Sequence, residues 1–109
     1  MEIQTKNLYI EQSKENNTLT CKLKGWLDPN TSPDLLDKLD LTDVNNLVFD
    51  MKNVEYVFSA GLRTFLILQR KIEEKKGKLS LINVPDNIKM IFEFAGFASM
   101  IDITNDKKD

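Results

Sequence analysis

From Leu47 onward the chain alternates short apolar runs with stretches of helical period. This alternation constrains the fold more than any other feature. Leu47-Val48-Phe49 is a continuous apolar run, the pattern of a central strand covered on both faces. Asp50 is read as its end. A long helix is predicted from about Ala60 to Lys76, where Leu62, Phe65, Leu66 and Ile72 recur at helical spacing. Leu79-Ser80-Leu81-Ile82 reads as the next strand. Ile88, Ile91, Phe92 and Ala95 then mark one face of a further helix. Strand, helix, strand, helix implies parallel pairing through right-handed crossovers.

The first half reads differently. Leu19, Cys21 and Leu23 alternate with Thr20, Lys22 and Lys24, the period of a half-buried strand. Residues 8–12 form an earlier strand, and Lys14-Glu15-Asn16-Asn17 is a polar turn joining the two as a hairpin. Gly25-Trp26-Leu27-Asp28 is expected to leave the sheet. Asn30 or Thr31 is placed to cap a short helix with Pro33 in its first turn and Leu35, Leu36 and Leu39 as its stripe.

Punctuation sharpens the later elements. Ser59 stands where an N-cap belongs and Gly77 where a C′ glycine belongs. Arg70, Lys71, Lys75 and Lys76 suit the negative end of the long helix. Asp86 caps the last helix and Gly96 ends it. Met100 to Ile103 adds a final short element, and residues 105–109 read as a frayed tail. The expected fold class is α/β: a small mixed sheet with helices packed mainly on one face. It forms one domain over residues 1–109.

Composition removes several functions. The chain has no histidine, so the usual general base and the commonest metal ligand are missing. Its single cysteine excludes an intrachain disulfide and suits a reducing compartment. The formal net charge of −2 offers no general attraction for nucleic acid. No signal peptide opens the chain, and no apolar run reaches the roughly 20 residues of a membrane helix. A cytoplasmic protein that touches neither nucleic acid nor membrane is expected.

Four segments carry a resemblance. LVFDMKNVEYV, FSAGLR and GKLSLINVPDNIKMIFEFAGF resemble, in that order, three pieces of the STAS family (sulfate transporter and anti-sigma factor antagonist domains). They match its central strand, its phosphorylation loop entering the long helix, and its next strand and helix. Upstream, GWLDPNTSPDL is similar to the family's turn and first helix. The resemblance implies an anti-sigma factor antagonist rather than an enzyme. Its partners would be a serine-kinase anti-sigma factor and a phosphatase. It implies no cofactor and no metal. By position, Ser59 would be the phosphoacceptor, with Asp28, Phe58, Ala60, Gly61, Leu62 and Arg63 at the partner surface. Phe58 and Ala60 stand where many such antagonists carry an aspartate and a second hydroxyl residue.

A phosphate adds about −1.5 to −2 charge. At a helix N-terminus it meets unpaired N–H groups and the positive end of the dipole. Phosphorylation of Ser59 would thus alter the surface without unfolding the domain. The bland alternative is a serine that only caps the helix. Arg63, one turn on, pairs with the phosphate or with an acidic group of the partner, or is simply a solvated cation. Tyr56 and Phe58 form a contact patch if exposed, with buried packing as the default. Trp26 reads as partly core, with a surface anchor as the alternative, and Met90 and Met100 read as core fillers. Asp50 and Asp28 read as turn residues, with Asp50 alternatively beside the phosphorylation loop. Cys21 reads as a buried apolar residue. Glu73 and Glu74 diverge on their helix and are no acid–base pair. A serine hydrolase has neither a base nor a Gly-x-Ser-x-Gly elbow here. The rival reading is an unphosphorylated scaffold subunit of a transport or signalling complex.

Overall fold

The period-2 alternation of Leu19, Cys21 and Leu23 does build a strand, and every other element is placed against it. The computed structural model describes residues 2–4, 7–97 and 99–104. Its strands are β1 (Glu2–Gln4), β2 (Leu8–Glu15), β3 (Thr18–Leu27), β4 (Asn46–Val57), β5 (Lys78–Ile82) and β6 (Asp102–Thr104). Its helices are α1 (Ser32–Lys38), α2 (Ser59–Glu74) and α3 (Asp86–Phe94). The six strands form one sheet in chain order. β1, β2 and β3 pair antiparallel, and β3 through β6 pair parallel. The expected mixed sheet is therefore present, with β1 added at one edge, and the final short element expected at Met100 to Ile103 is the parallel edge strand β6, beginning two residues further on. The tail expected to fray lies outside the described residues.

The helices lie on one face because only that face is apolar. Leu19, Cys21, Leu23 and Leu27 from β3 join Leu47, Phe49 and Met51 from β4 in one buried cluster. Leu35 of α1, Phe65, Leu68 and Ile72 of α2, and Ile88 and Phe92 of α3 close over them. Phe65 meets Phe49 edge-on at 5.2 Å and Phe92 at 5.6 Å. Each such buried ring contributes about 1.5–3 kcal/mol by removal from water. Cys21 is sealed inside, and burial pushes its thiol up to about 12, so it stays protonated and inert.

Several local expectations are corrected. Asp50 does not end β4, which runs seven residues further to Val57. Its buried positions pass from Leu47, Phe49 and Met51 to Val54 and Val57, so the interval changes from two to three. Register shifts between Lys22 and Lys24, and between Gly25 and Trp26, account for this: β4 carries an extra residue at each. Asp50 is neither a turn residue nor beside Ser59. Its Oδ1 accepts from the Lys52 N–H at 3.1 Å and from Asn83 Nδ2 at 3.2 Å.

Gly25, Trp26 and Leu27 likewise stay in the sheet, opposite Val54, Tyr56 and Val57. Gly25 has φ 115°, and a Cβ there would lie 2.2 Å from the Asn7 carbonyl oxygen. The N-caps are Phe58 and Pro85, so Ser59 and Asp86 each open the helix proper. Gly77 is one residue later than the C′ site. Lys76 takes the left-handed conformation, and the N–H groups of Lys76 and Gly77 return to Glu73 and Ile72. Glycine is required at 77 for another reason: a Cβ would lie 2.0 Å from the Asn45 carbonyl oxygen. Met90 and Met100 are not core fillers but 51% and 43% exposed.

Candidate functional site

The carboxyl ends of β3 and β4 lie side by side, because Leu27 pairs with Val57 and the Phe58 N–H donates to the Leu27 carbonyl at 2.9 Å. Asp28 and Phe58 are thus the first residues beyond adjacent parallel strands. Each leads into a helix, so the N-termini of α1 and α2 open onto the same rim. Thr64 Oγ1 ties them by donating to the Ser32 carbonyl at 3.4 Å.

Asp28 is buried and shapes this rim from below. Its Oδ1 accepts from the Asn30 and Thr31 N–H groups, both at 2.9 Å, and its Oδ2 from Asn7 Nδ2 at 3.1 Å. Thr31 occupies the N-cap of α1, yet its hydroxyl does not cap the helix. That hydroxyl accepts from the Asp28 N–H at 3.0 Å and donates to the Trp26 carbonyl at 2.8 Å. Burial alone would raise the Asp28 pKa. The donors from Thr31, Asn7 and Asn30 outweigh it and hold the carboxyl below the usual aspartate range.

Ser59 is exposed at the first position of α2. Its hydroxyl has no hydrogen bond with any described residue. Gly61 and Leu62 donate back to the Phe58 carbonyl at 2.9 and 3.1 Å. No side chain caps α2, and its first turn holds no acidic residue. The first turn of α2 thus supplies no carboxylate to offset the positive end of the helix, equivalent to about half a charge. Arg63 is exposed and forms no ion pair among the described residues. It adds a second positive element one turn on.

Gly61 is buried, and here the helix presses against the strand ends. A Cβ at this position would lie 2.9 Å from Leu27 Cβ and 3.0 Å from Val57 Cγ1. Phe58, Ala60 and Leu62 are half-buried. The sequence-predicted residues are thus gathered on one rim in two roles. Ser59 and Arg63 face outward, whereas Asp28 and Gly61 lie beneath. Trp26 takes the surface position, not the partly core one. Trp26 and Tyr56 form a cross-strand pair, 43% and 42% exposed, on the sheet face opposite the helices. Phe58 stacks on Trp26 at 5.9 Å and meets Tyr56 edge-on at 4.8 Å. Trp26 Nε1 donates to Glu55 Oε1 at 3.1 Å.

Residues 9–109 match the STAS domain family model. The chain belongs to the STAS domain family. The BtrV protein of Bordetella bronchiseptica is 29% identical over 62 residues, 57% of this chain. The match spans 53% of that relative, so the chain covers about half its length. The anti-sigma-B factor antagonist of Listeria monocytogenes is 25% identical over 103 residues, covering 91% of this chain and 90% of the relative. Among solved structures, the anti-sigma factor antagonist SpoIIAA in its unphosphorylated form superposes with a TM-score of 0.76 at 18% identity, covering 89% of both chains. The phosphorylated form of SpoIIAA from Bacillus gives 0.70 at 18%, covering 89% of this chain and 92% of that one. At such identity the likeness establishes the fold. Among the described residues no cluster of three or more His, Cys, Asp or Glu side chains is placed to hold a metal ion. No described helix is long and apolar enough to cross a membrane.

Proposed function

We propose that this STAS domain is an anti-sigma factor antagonist whose binding is controlled by phosphorylation of Ser59. In this reading the unphosphorylated chain binds a serine-kinase anti-sigma factor in the cytoplasm, and a sigma factor is released. The kinase transfers the γ-phosphoryl group of ATP: the Ser59 oxygen forms the new O–P bond, ADP leaves, and a base of the kinase takes the hydroxyl proton. A phosphatase reverses the step. The domain is the substrate and supplies no catalytic group.

One observation carries the reading. The Ser59 hydroxyl is exposed and unengaged at an uncapped helix mouth without acidic neighbours in its first turn. A plain capping serine would instead turn its oxygen to the helix N–H groups. A dianion there gains the helix dipole and lies within one turn of Arg63, so the fold tolerates it. The names of the full-length relatives point the same way.

The test is incubation with the serine-kinase anti-sigma factors of the same organism and ATP, followed by mass-spectrometric site mapping. One phosphate on Ser59 is expected. Absence of phosphate, or its placement on another residue, would overturn the assignment. The scaffold reading would gain if protein isolated from its native cells carried no phosphate under any growth condition.

A further inference from the structure

Three aromatic rings at the same rim have no role in phosphoryl transfer itself, and their position gives them one. Trp26 and Tyr56 project from the sheet face that no helix covers, and Phe58 bridges them to the mouth of α2. Single exposed apolar residues are ordinary, but a contiguous cluster of three rings held on a rigid sheet is the composition of an interface centre. Cross-strand pairing and the bond from Trp26 to Glu55 fix the rings before any partner arrives, which lowers the entropy cost of binding.

Covalent geometry decides the occupant. Phe58 directly precedes Ser59, about 3.8 Å away along the backbone. A protein that receives the Ser59 oxygen in its active site must cover Phe58. A standard interface buries about 800 Å² per side, a disc of about 16 Å radius. Centred on Ser59, it includes Tyr56 and Trp26, whose ring centroids lie 4.8 and 5.9 Å from that of Phe58.

Resting on the Ser59 reading, we propose that Trp26, Tyr56 and Phe58 are the apolar anchor by which the kinase that modifies Ser59 recognises this chain. The kinase presents an apolar groove that takes an aromatic ring immediately before the serine. The anchor also sharpens the switch. A groove that encloses Phe58 strips water from its neighbour, so a phosphate on Ser59 loses hydration in the complex. In the free chain the same phosphate stays solvated at the positive end of α2. Phosphorylation therefore favours the free form.

The experiment uses the full chain against the purified serine-kinase anti-sigma factors of the same organism, with ADP for binding and ATP for turnover. Trp26 is the only tryptophan, so 5-fluorotryptophan labelling reports this position alone. Binding is expected to shift the fluorine resonance. Trp26→Ala and Tyr56→Ala are each expected to weaken binding at least tenfold and to raise the KM for Ser59 phosphorylation with little change in kcat. Lys71→Ala, in the last turn of α2, should match the parent chain. Circular dichroism confirms that each variant is folded. If the kinase binds and phosphorylates Ser59 while the resonance stays unmoved and both alanine variants bind normally, the anchor is overturned and the Ser59 reading stands. If no kinase binds or modifies the chain, both are overturned.

Discussion

The two rims of the parallel sheet handle polar groups in opposite ways. At the amino ends of β3, β4 and β5 the loops bond to one another. Asn17 Nδ2 donates to Asn45 Oδ1 at 2.9 Å, and the Asn45 and Asn46 N–H groups donate to the Asn17 carbonyl at 2.9 and 3.0 Å. The Lys78 N–H donates to the Asn45 carbonyl at 2.7 Å, and Lys14 Nζ to the Thr42 carbonyl at 2.8 Å. Lys75 Nζ donates to the Leu41 carbonyl. At the carboxyl ends, Asp28 is satisfied beneath the surface, while Ser59, Arg63 and the indole and phenol rings face water. One rim spends its polar groups on holding the fold. The other leaves Ser59 and Arg63 open to water.

Substitutions at the closed rim should therefore cost stability, and those at the exposed positions of the open rim should not. Gly77→Ala carries the largest expected loss, about 3 kcal/mol, because its Cβ would meet backbone that cannot move aside. A lowered urea midpoint checks it, and a near-neutral result would break the comparison. Gly61→Ala tests the floor of the open rim. Its Cβ would press on Leu27 and Val57 at 2.9–3.1 Å, for an expected cost of about 1–2 kcal/mol.

Asp28→Ala should cost about 1 kcal/mol by leaving the Asn30, Thr31 and Asn7 donors unpaired. Its pH dependence follows from the lowered carboxyl pKa. The folded state holds the charged form more firmly than the unfolded state, whose aspartate titrates near 3.9. The stabilisation is fully present above that value and is lost as pH falls through the folded pKa. Stability curves of parent and variant should converge in acid; a gap that widens as pH falls would contradict the bonding. The smallest effect belongs to the exposed Lys78–Asp102 bridge, where Asp102→Asn should change stability by less than about 0.5 kcal/mol in a denaturant titration.

The readable parts of the sequence were those governed by local period. The alternation in β3 and the helical spacing of Leu62, Phe65 and Ile72 give the elements and their parallel order. The full length of β4 is not legible, because its two bulges change the interval of buried residues and a fixed period of two cannot follow them. Residue preference alone puts Ser59 at the N-cap. Phe58 holds that position because the β4 ladder ends in a bond from its own N–H to Leu27. Local sequence leaves Trp26 open between a partly core ring and a surface anchor. A ring in an alternating strand is buried or bare according to which face the helices cover. That is decided by the rest of the sheet. The same holds for Met90 on α3.

Affinity for the serine-kinase anti-sigma factor, measured side by side for the parent chain, Ser59→Ala and Ser59→Asp, tests the central claim most directly. The account predicts equal binding for the first two, at least a hundredfold loss for the third, and closely similar melting of all three. Equal affinity across the set, or an aspartate variant that fails to fold, would contradict it.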